Sequence, residues 1–444
     1  MFRRGQITSF QERLDITERA ATGQSDSEIA VALGCSVWTV RKWRRIGQRH
    51  GRNGLTSQIG GPATGPLGAF PSVIRDAILQ MRRSHPGWGP DTILAELRID
   101  PRWADHPLPS RARFAALLKA ANLTRRYQRH TDLPEPKPLP EGAPHDQWEL
   151  DAQGSMQVDG IGNVSLITII DVVSRLKVES YPCLDTTNPP LPAYQLMLRR
   201  AFLTTGRPRQ ISLDHGTVSY DNTSPSPFPT RLHLWLLALD VDVCFTRKRQ
   251  PTDHAKIERT HQTMTLQALL GQHWPDQTAL WAGLDARRTM LNQHIPSRVL
   301  HGQAPLQAYP EAVHSGRSYR PEWEADLLDL NRVYQYLASC RWFRQVKPNG
   351  RITIGGYQYY IGTKFRSRTV ELTFDALQGV FVGQPEGSDT AITIVPQGLT
   401  KADLMGELSG VLALPAYQLA LPFTQAAWRQ LEYTHILAAV AQVA

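Results

Sequence analysis

The chain is 444 residues long with a formal net charge of +9 and a pI of about 9.5. That is enough for about two to four domains and basic enough to favour a polyanionic partner. The four cysteines (Cys35, Cys183, Cys244, Cys340) share no C-x-x-C spacing, which excludes a disulfide framework and a zinc knuckle. No apolar run reaches the roughly eighteen residues of a membrane span, and the opening MFRRGQITSFQERLD is too polar for a secretory signal. The expected location is the cytoplasm, in association with the nucleoid.

Residues 8–50 carry the pattern of three helices. Ser25 and Glu28 have the spacing of a capping box, in which side chain and backbone bond reciprocally. Ile29 and Leu33 follow on one face, Gly34 breaks the helix, and Ser36 can cap the next one. Helix, tight glycine turn and helix is the order of a helix-turn-helix. The second helix carries Arg41, Lys42, Arg44 and Arg45, as a helix lying beside phosphates would. Residues 1–52 are therefore expected to form an all-α helix-turn-helix DNA-binding domain, followed by a Gly- and Pro-rich linker over 53–70.

A second helical unit is expected over 71–130. Val73, Ile74, Ile78 and Met81 mark its first helix and Thr92 to Leu97 its second. Ser110 opens a third, with Phe114, Leu117 and Leu118 inward. Arg111 and Arg113 are the candidate contacts of this second helix-turn-helix or winged-helix-like DNA-binding domain. The Pro-rich segment 131–144 reads as a semi-rigid spacer.

Apolar runs at 148–150 and 164–170 flank a glycine-containing turn (Gly154, Gly160, Gly162), as in a β-hairpin. Asp151 closes the first run, where a strand prefers an apolar or β-branched residue; taken alone it reads as a turn-starter. A third strand at 176–181 follows, then a helix around 193–203 and a strand at 210–213 that ends in Asp214-His215-Gly216. Residues 231–239 read as a helix, 241–246 as a strand, 247–253 as a basic loop and 254–272 as a helix. Three antiparallel strands, then helix, strand, helix, strand, helix, is the order of an RNase H-like α/β fold.

WELD at 148–151, IIDVVSRL at 169–176, SLDHG at 212–216, RQPTDHAKIERTHQTM at 249–264 and LNQHIPSRVLHGQAPLQAY at 291–309 follow in that order. Together they resemble the DDE transposase and retroviral-type integrase superfamily, particularly transposases of bacterial insertion sequences and of Mu- and Tn7-like elements. The resemblance implies a catalytic core over 145–312 and a triad of Asp151, Asp214 and Glu258. The same three would hold two Mg²⁺ ions, for which Mn²⁺ can substitute. It also implies an enzyme that cuts 3′ ends of a DNA element and joins them to target DNA. The chemistry gives an independent reason for three acids: in-line displacement at a phosphodiester calls for two metal ions about 4 Å apart, and Mg²⁺ takes carboxylate oxygens.

Two departures stand out. Asp214-His215-Gly216 replaces the commoner D-N-G, and the interval to Glu258 is 44 residues (258 − 214), longer than in retroviral integrases. The surplus fits a Ser/Pro-rich surface loop at 217–230. Asp171, Asp221 and Asp253 are rival ligands. Arg247, Lys248, Arg249, Lys256 and Arg259 cluster around Glu258 and are expected to hold the DNA backbone; Arg175 and His261 read as structural.

Residues 313–335 read as a linker helix. A strand, a Gly355-Gly356 turn and a second strand follow at 351–362, then TVELTFD, GVFVG and ITIVPQG. This is the pattern of a small SH3-like β-barrel over 336–400. Residues 401–444 read as a helical tail with Trp428, Leu431, Ile436 and Leu437, either packed on the barrel or offered to a partner subunit or an AAA+ ATPase. The partners implied are double-stranded DNA, at element ends and target, and further copies of the chain, since two ends must be paired. A DNA-binding regulator built on an inactivated transposase, and a metal-dependent nuclease without strand transfer, are the competing readings.

Overall fold

A computed structural model describes residues 8–56, 65–68, 70–124, 141–247 and 255–408. The chain divides into two compact units, one drawn from 1–76 and 107–124, the other from 77–106 and 125–444.

The first unit opens with α1 (Phe10–Ala21), α2 (Asp26–Ala32) and α3 (Val37–His50). The capping box at α2 forms as the sequence requires: Glu28 N donates to Ser25 Oγ at 3.3 Å, and the Ser25 amide donates to Glu28 Oε2 at 2.9 Å. Ser36 caps α3, and Gly34 takes φ +61° after α2, the left-handed conformation that glycine adopts without strain. Ile16, Ile29, Ala30 and Val40 form a small core. Arg13 is buried among them, donating to Leu55 O at 3.0 Å and lying 4.0 Å over the Trp43 ring.

Helix α4 (Ser72–Ser84) runs from one unit to the other, α5 (Pro90–Ile99) lies in the second and α6 (Arg111–Ala120) in the first. Residues 100–110, with a 3-10 turn at Pro101–Trp103, separate α5 from α6 in the segment expected to form a second helix-turn-helix or winged-helix-like domain. Trp88 Nε1 donates to Gln267 O at 2.8 Å, and the Arg287 guanidinium lies 4.2 Å over the Trp88 ring while pairing with Glu96 at 2.5 Å. A Cβ on Gly87 would overlap the Leu266 carbonyl, so only glycine permits this approach. On α4, Ile74 and Ile78 are buried and Val73 is exposed.

The second unit is built on β1 (Gln147–Val158), β2 (Gly162–Asp171), β3 (Lys177–Leu184), α7 (Leu191–Thr205), β4 (Gln210–Leu213), α8 (Arg231–Ala238) and β5 (Asp242–Phe245). Helix α9 (Ala255–Met264) continues through a π-helical turn at Thr265–Leu269 and is followed by α10 (Gln277–Gln293). The sheet order is β3-β2-β1-β4-β5, with β1, β2 and β3 antiparallel and β1, β4 and β5 parallel. The first strand does not stop at Asp151 as expected. It runs on to Val158 because a bulge between Gln153 and Met156 absorbs Gly154. Trp148, Leu150 and Ala152 face the core formed with Phe202 and Trp235, while Val164 and Leu166 of β2 face Met264, Leu284 and Leu291.

Beyond these come α11 (Pro305–Ala308), α12 (Glu324–Leu327), α13 (Leu330–Ala338), β6 (Trp342–Gln345), β7 (Arg351–Ile354) and β8 (Tyr357–Tyr360). Strands β9 (Thr369–Asp375), β10 (Val380–Pro385) and β11 (Ile392–Ile394) and helix α14 (Lys401–Met405) complete the described elements. An antiparallel sheet β11-β10-β9-β6 sits with the hairpin β7–β8, which turns at Gly355 and Gly356. The segment 313–335 is not a linker: Tyr319, Leu328 and Val333 are buried in the same core as Trp148, Trp235, Trp342 and Phe381. The α/β sheet and the C-terminal strands thus share one core. Residues 409–444, including Trp428, Leu431, Ile436 and Leu437, lie outside the described residues.

Two outcomes follow from this packing. Gly87→Ala is expected to release α5 from the 265–269 turn at a cost above about 1–3 kcal/mol, the usual overpacking penalty, read as faster hydrogen exchange at 88–97. His233 is buried between Phe245 (5.6 Å) and Tyr336 (5.0 Å), and burial pushes its pKa down to about 4. The unfolded imidazole titrates near 6.5, so the stability this group contributes is present above that pH and is lost as pH falls toward 4. Acidification from about pH 7.5 to about pH 5 should cost the wild type about 2 kcal/mol more than His233→Phe, measured by urea denaturation of the second unit.

Candidate functional site

Strands β1 and β4 run parallel, with Trp148 opposite Ile211 and Glu149 opposite Ser212. Two residues beyond that last pair stand Asp151, still within β1, and Asp214, just past the end of β4. Tyr194 on α7 senses both: burial pushes its phenol pKa up, and the charges of Asp214 and Asp151 push it further. Asp214 Oδ1 accepts from the Gly216 amide at 2.9 Å, and a Cβ at Gly216 would crowd the same oxygen at 3.0 Å.

Alternate side chains of a strand share one face, and on the face opposite Trp148 and Leu150 stand Glu149, Asp151 and Gln153. Helix α9 and the turn after it meet all three. Lys256 Nζ pairs with Glu149 Oε1 at 3.0 Å, His261 Nδ1 lies 3.9 Å from Asp151 Oδ2, and Thr265 Oγ1 donates to Gln153 Oε1 at 3.4 Å. Glu149 is buried, and its Oε2 has no hydrogen-bond partner among the described residues. A buried carboxylate needs a counter-charge, so Lys256, expected on the DNA backbone, is committed to Glu149. Glu258 is exposed on the first turns of α9. Among the described residues no group of three His, Cys, Asp or Glu side chains is arranged to hold a metal ion. Asp151 lies within β1 and Asp214 just past the end of β4, and Glu258 stands on α9, which covers β1.

Two of the rival carboxylates have other work. Asp171 Oδ2 accepts from the His145 amide at 2.6 Å, and Oδ1 accepts from the Ser174 amide and hydroxyl at 2.6 and 2.7 Å. These bonds close the turn in which Arg175 takes φ +63°. Burial pushes the Asp221 carboxyl up, but bonds from Thr223 and the Phe228 amide outweigh it and hold the pKa below the ordinary value. Asp253 lies outside the described residues.

The 217–230 segment, the expected Ser/Pro-rich loop, is tied to the C-terminal strands. Trp342 Nε1 donates to Pro227 O at 3.0 Å, Arg344 Nη1 to Ser226 O at 2.7 Å, and the Phe343 amide to Ser226 Oγ at 3.2 Å. Phe228 is buried against Trp342 and Phe381. A lone Phe among prolines and serines was the sequence signal for this attachment. Glu149 could have been found by its spacing of two from Asp151.

The basic residues differ in exposure and in their recorded partners. On α3, Arg44 and Arg41 pair with Asp26 at 2.9 and 3.3 Å. The hydrogen bond from Arg44, ahead of that from Arg41, holds the Asp26 pKa below the usual carboxylate range against the opposing effect of burial. Lys42 lies 5.1 Å from the Trp43 ring and 5.8 Å from that of Trp38, which is 72% exposed. Arg45, Arg111, Arg113, Arg247 and Arg259 are exposed. Lys248 and Arg249 lie outside the described residues.

Among solved structures, the chain is similar to one from a cryo-EM structure of the simian T-cell lymphotropic virus intasome in complex with PP2A regulatory subunit B56 gamma. That likeness is 15% identical and covers 69% of this chain and 96% of that one, with a TM-score of 0.30, too slight to bear on the fold. Residues 12–63 match the family model described as a helix-turn-helix domain. With its three capped helices in place, the N-terminal segment is a helix-turn-helix DNA-binding domain, followed in the chain by a mixed α/β region.

Proposed function

We propose that the chain is a DNA transposase of the DDE type, which binds element ends through its helix-turn-helix and cuts and joins DNA at Asp151 and Asp214 with Glu258. The observation that carries this reading is the parallel β1–β4 register, whose last pair, Glu149 with Ser212, stands two residues before each aspartate. The strand order β3-β2-β1-β4-β5 supports an RNase H-like core, and the C-terminal sheet and hairpin support an SH3-like barrel fused to it.

Carboxylate oxygens from neighbouring strands are donors that Mg²⁺ or Mn²⁺ prefers, so Asp151 and Asp214 fit such ions, and Glu258 would complete the set from α9. Two bound ions would activate the attacking water or 3′-OH and stabilise the leaving oxygen. The chain's own residues do the positioning. His261 Nδ1 stands 3.9 Å from Asp151 Oδ2 on the α9 side, and the Lys256–Glu149 pair holds α9 on β1, which sets where Glu258 stands. Arg247 and Arg259, with Lys248 and Arg249, supply cations for the DNA backbone. The function calls for double-stranded DNA at ends and target, for several copies of the chain, and for a nucleoid location. An AAA+ ATPase is the partner suited to the C-terminal tail.

A strand-transfer assay with labelled end DNA and Mg²⁺ tests the site. Asp214→Asn should bind ends normally and lose cleavage and joining on the order of a thousandfold, about 4 kcal/mol of transition-state stabilisation. Full activity in that variant would show the site to be elsewhere. Wild type that binds but never cuts, with Mg²⁺ or Mn²⁺, would be a DNA-binding regulator, and cutting without joining would mark a nuclease. For the helix-turn-helix, Arg45→Ala should weaken duplex binding across sequences and reduce the slope of log K against log salt by about 1.

A further inference from the structure

We infer that the cleft between the 217–230 segment and the C-terminal strands binds an unpaired stretch of DNA beside the reacting phosphodiester, an inference that rests on the transposase reading for the source of that strand. The cleft has a volume of about 780 Å³, within the range of sites that enclose a compact ligand. One wall follows Asp214-His215-Gly216 directly, beginning at Thr217 and including Tyr220; the other is formed by Phe343, Tyr357 and their neighbours. A strand with a phosphate at Asp214 can therefore place its next nucleotides here.

The lining has the chemistry that single strands select. Phe343 is 53% exposed although its backbone is held in β6 opposite Glu371, so its ring is a rigid, open face. Tyr357 is a second ring, and the exposed Arg231 donates to its hydroxyl at 3.3 Å. Lys347 is exposed at the rim, with Nζ 3.2 Å from Thr353 Oγ1. Buried Arg344 adds a third cation. Asp221, the one carboxylate of the lining, has its oxygens taken by Thr223 and Phe228 and faces Arg344. Aromatic faces flanked by cations bind any base by stacking while holding the backbone by charge. A duplex keeps its base faces stacked inside and offers none to Phe343 or Tyr357.

The test is anisotropy titration of the full chain in EDTA with a labelled thymidine oligonucleotide and, separately, a labelled duplex of equal length. Phe343→Ala should weaken single-strand binding about tenfold or more and leave duplex binding unchanged, whereas Phe343→Trp should keep the single-strand affinity. Lys347→Ala should lower the single-strand salt slope by about 0.7. Unchanged single-strand affinity in Phe343→Ala, or equal losses in Phe343→Ala and Phe343→Trp, would overturn the inference. Because no metal is present, a chain that shows the expected binding but never cuts DNA would sink the transposase reading alone. A chain that cuts and joins DNA without the Phe343 effect would sink only the cleft.

Discussion

The site depends on the parallel pairing of β1 with β4. Parallel neighbours cannot be joined by a tight turn, so this contact forms only once β2, β3 and α7 have been laid down between them in the chain. The apolar pattern sets its register. Trp148, Leu150, Ile211 and Leu213 all belong to the core that includes Phe202 and Trp235. A slip of one residue would expel those side chains and drive Glu149 and Asp151 into that core, where unpaired charges are far costlier than any loss of ladder bonds. The β1–β4 register, with Asp151 and Asp214 each two residues beyond its last pair, is thus a by-product of core packing.

A second constraint makes the C-terminal strands part of the same body. Arg199 on α7 pairs with Glu324 at 2.8 and 2.7 Å with both side chains buried, and Glu324 also accepts from Trp235 Nε1 at 2.8 Å and from the Tyr319 hydroxyl. Burying two charges costs several kcal/mol each, and the pair is tolerable only because the remaining lone pairs are filled. Burial alone would lower the Arg199 pKa; the bonds and charge of Glu324 reverse this and raise it. The network fixes the segment 319–324 against α7, the helix that also presents Tyr194 to the aspartates.

Much of this was legible in the sequence where one residue type has one local job. Ser25 with Glu28, Ser36, Ser110 and the Gly355-Gly356 turn are local chemistry, and each stands where the spacing placed it. The succession of strands and helices through the central segment followed from apolar runs and their lengths. What was illegible depends on distant partners. Nothing local distinguishes a linker from 313–335, whose burial comes from Arg199, Trp235 and the C-terminal strands. The packing of the α5 segment was hidden because its pairing with Arg287 and Gln267 lies far along the chain. Asp151 looked like a strand end because the bulge that carries β1 onward is a property of the β1–β2 pair.

The distribution of charge points the same way as the packing. A basic residue near a candidate site is counted from sequence as a possible phosphate contact, yet several here have internal carboxylates: Lys256 has Glu149, Arg44 and Arg41 have Asp26, and Arg287 has Glu96. The exposed Asp26 pairs are weak and exchangeable, so Arg41 and Arg44 remain able to turn toward a phosphate. Glu149 is a different case, because the desolvated carboxylate would be left without its cation if Lys256 moved away. The Lys256–Glu149 pair therefore keeps α9 on β1.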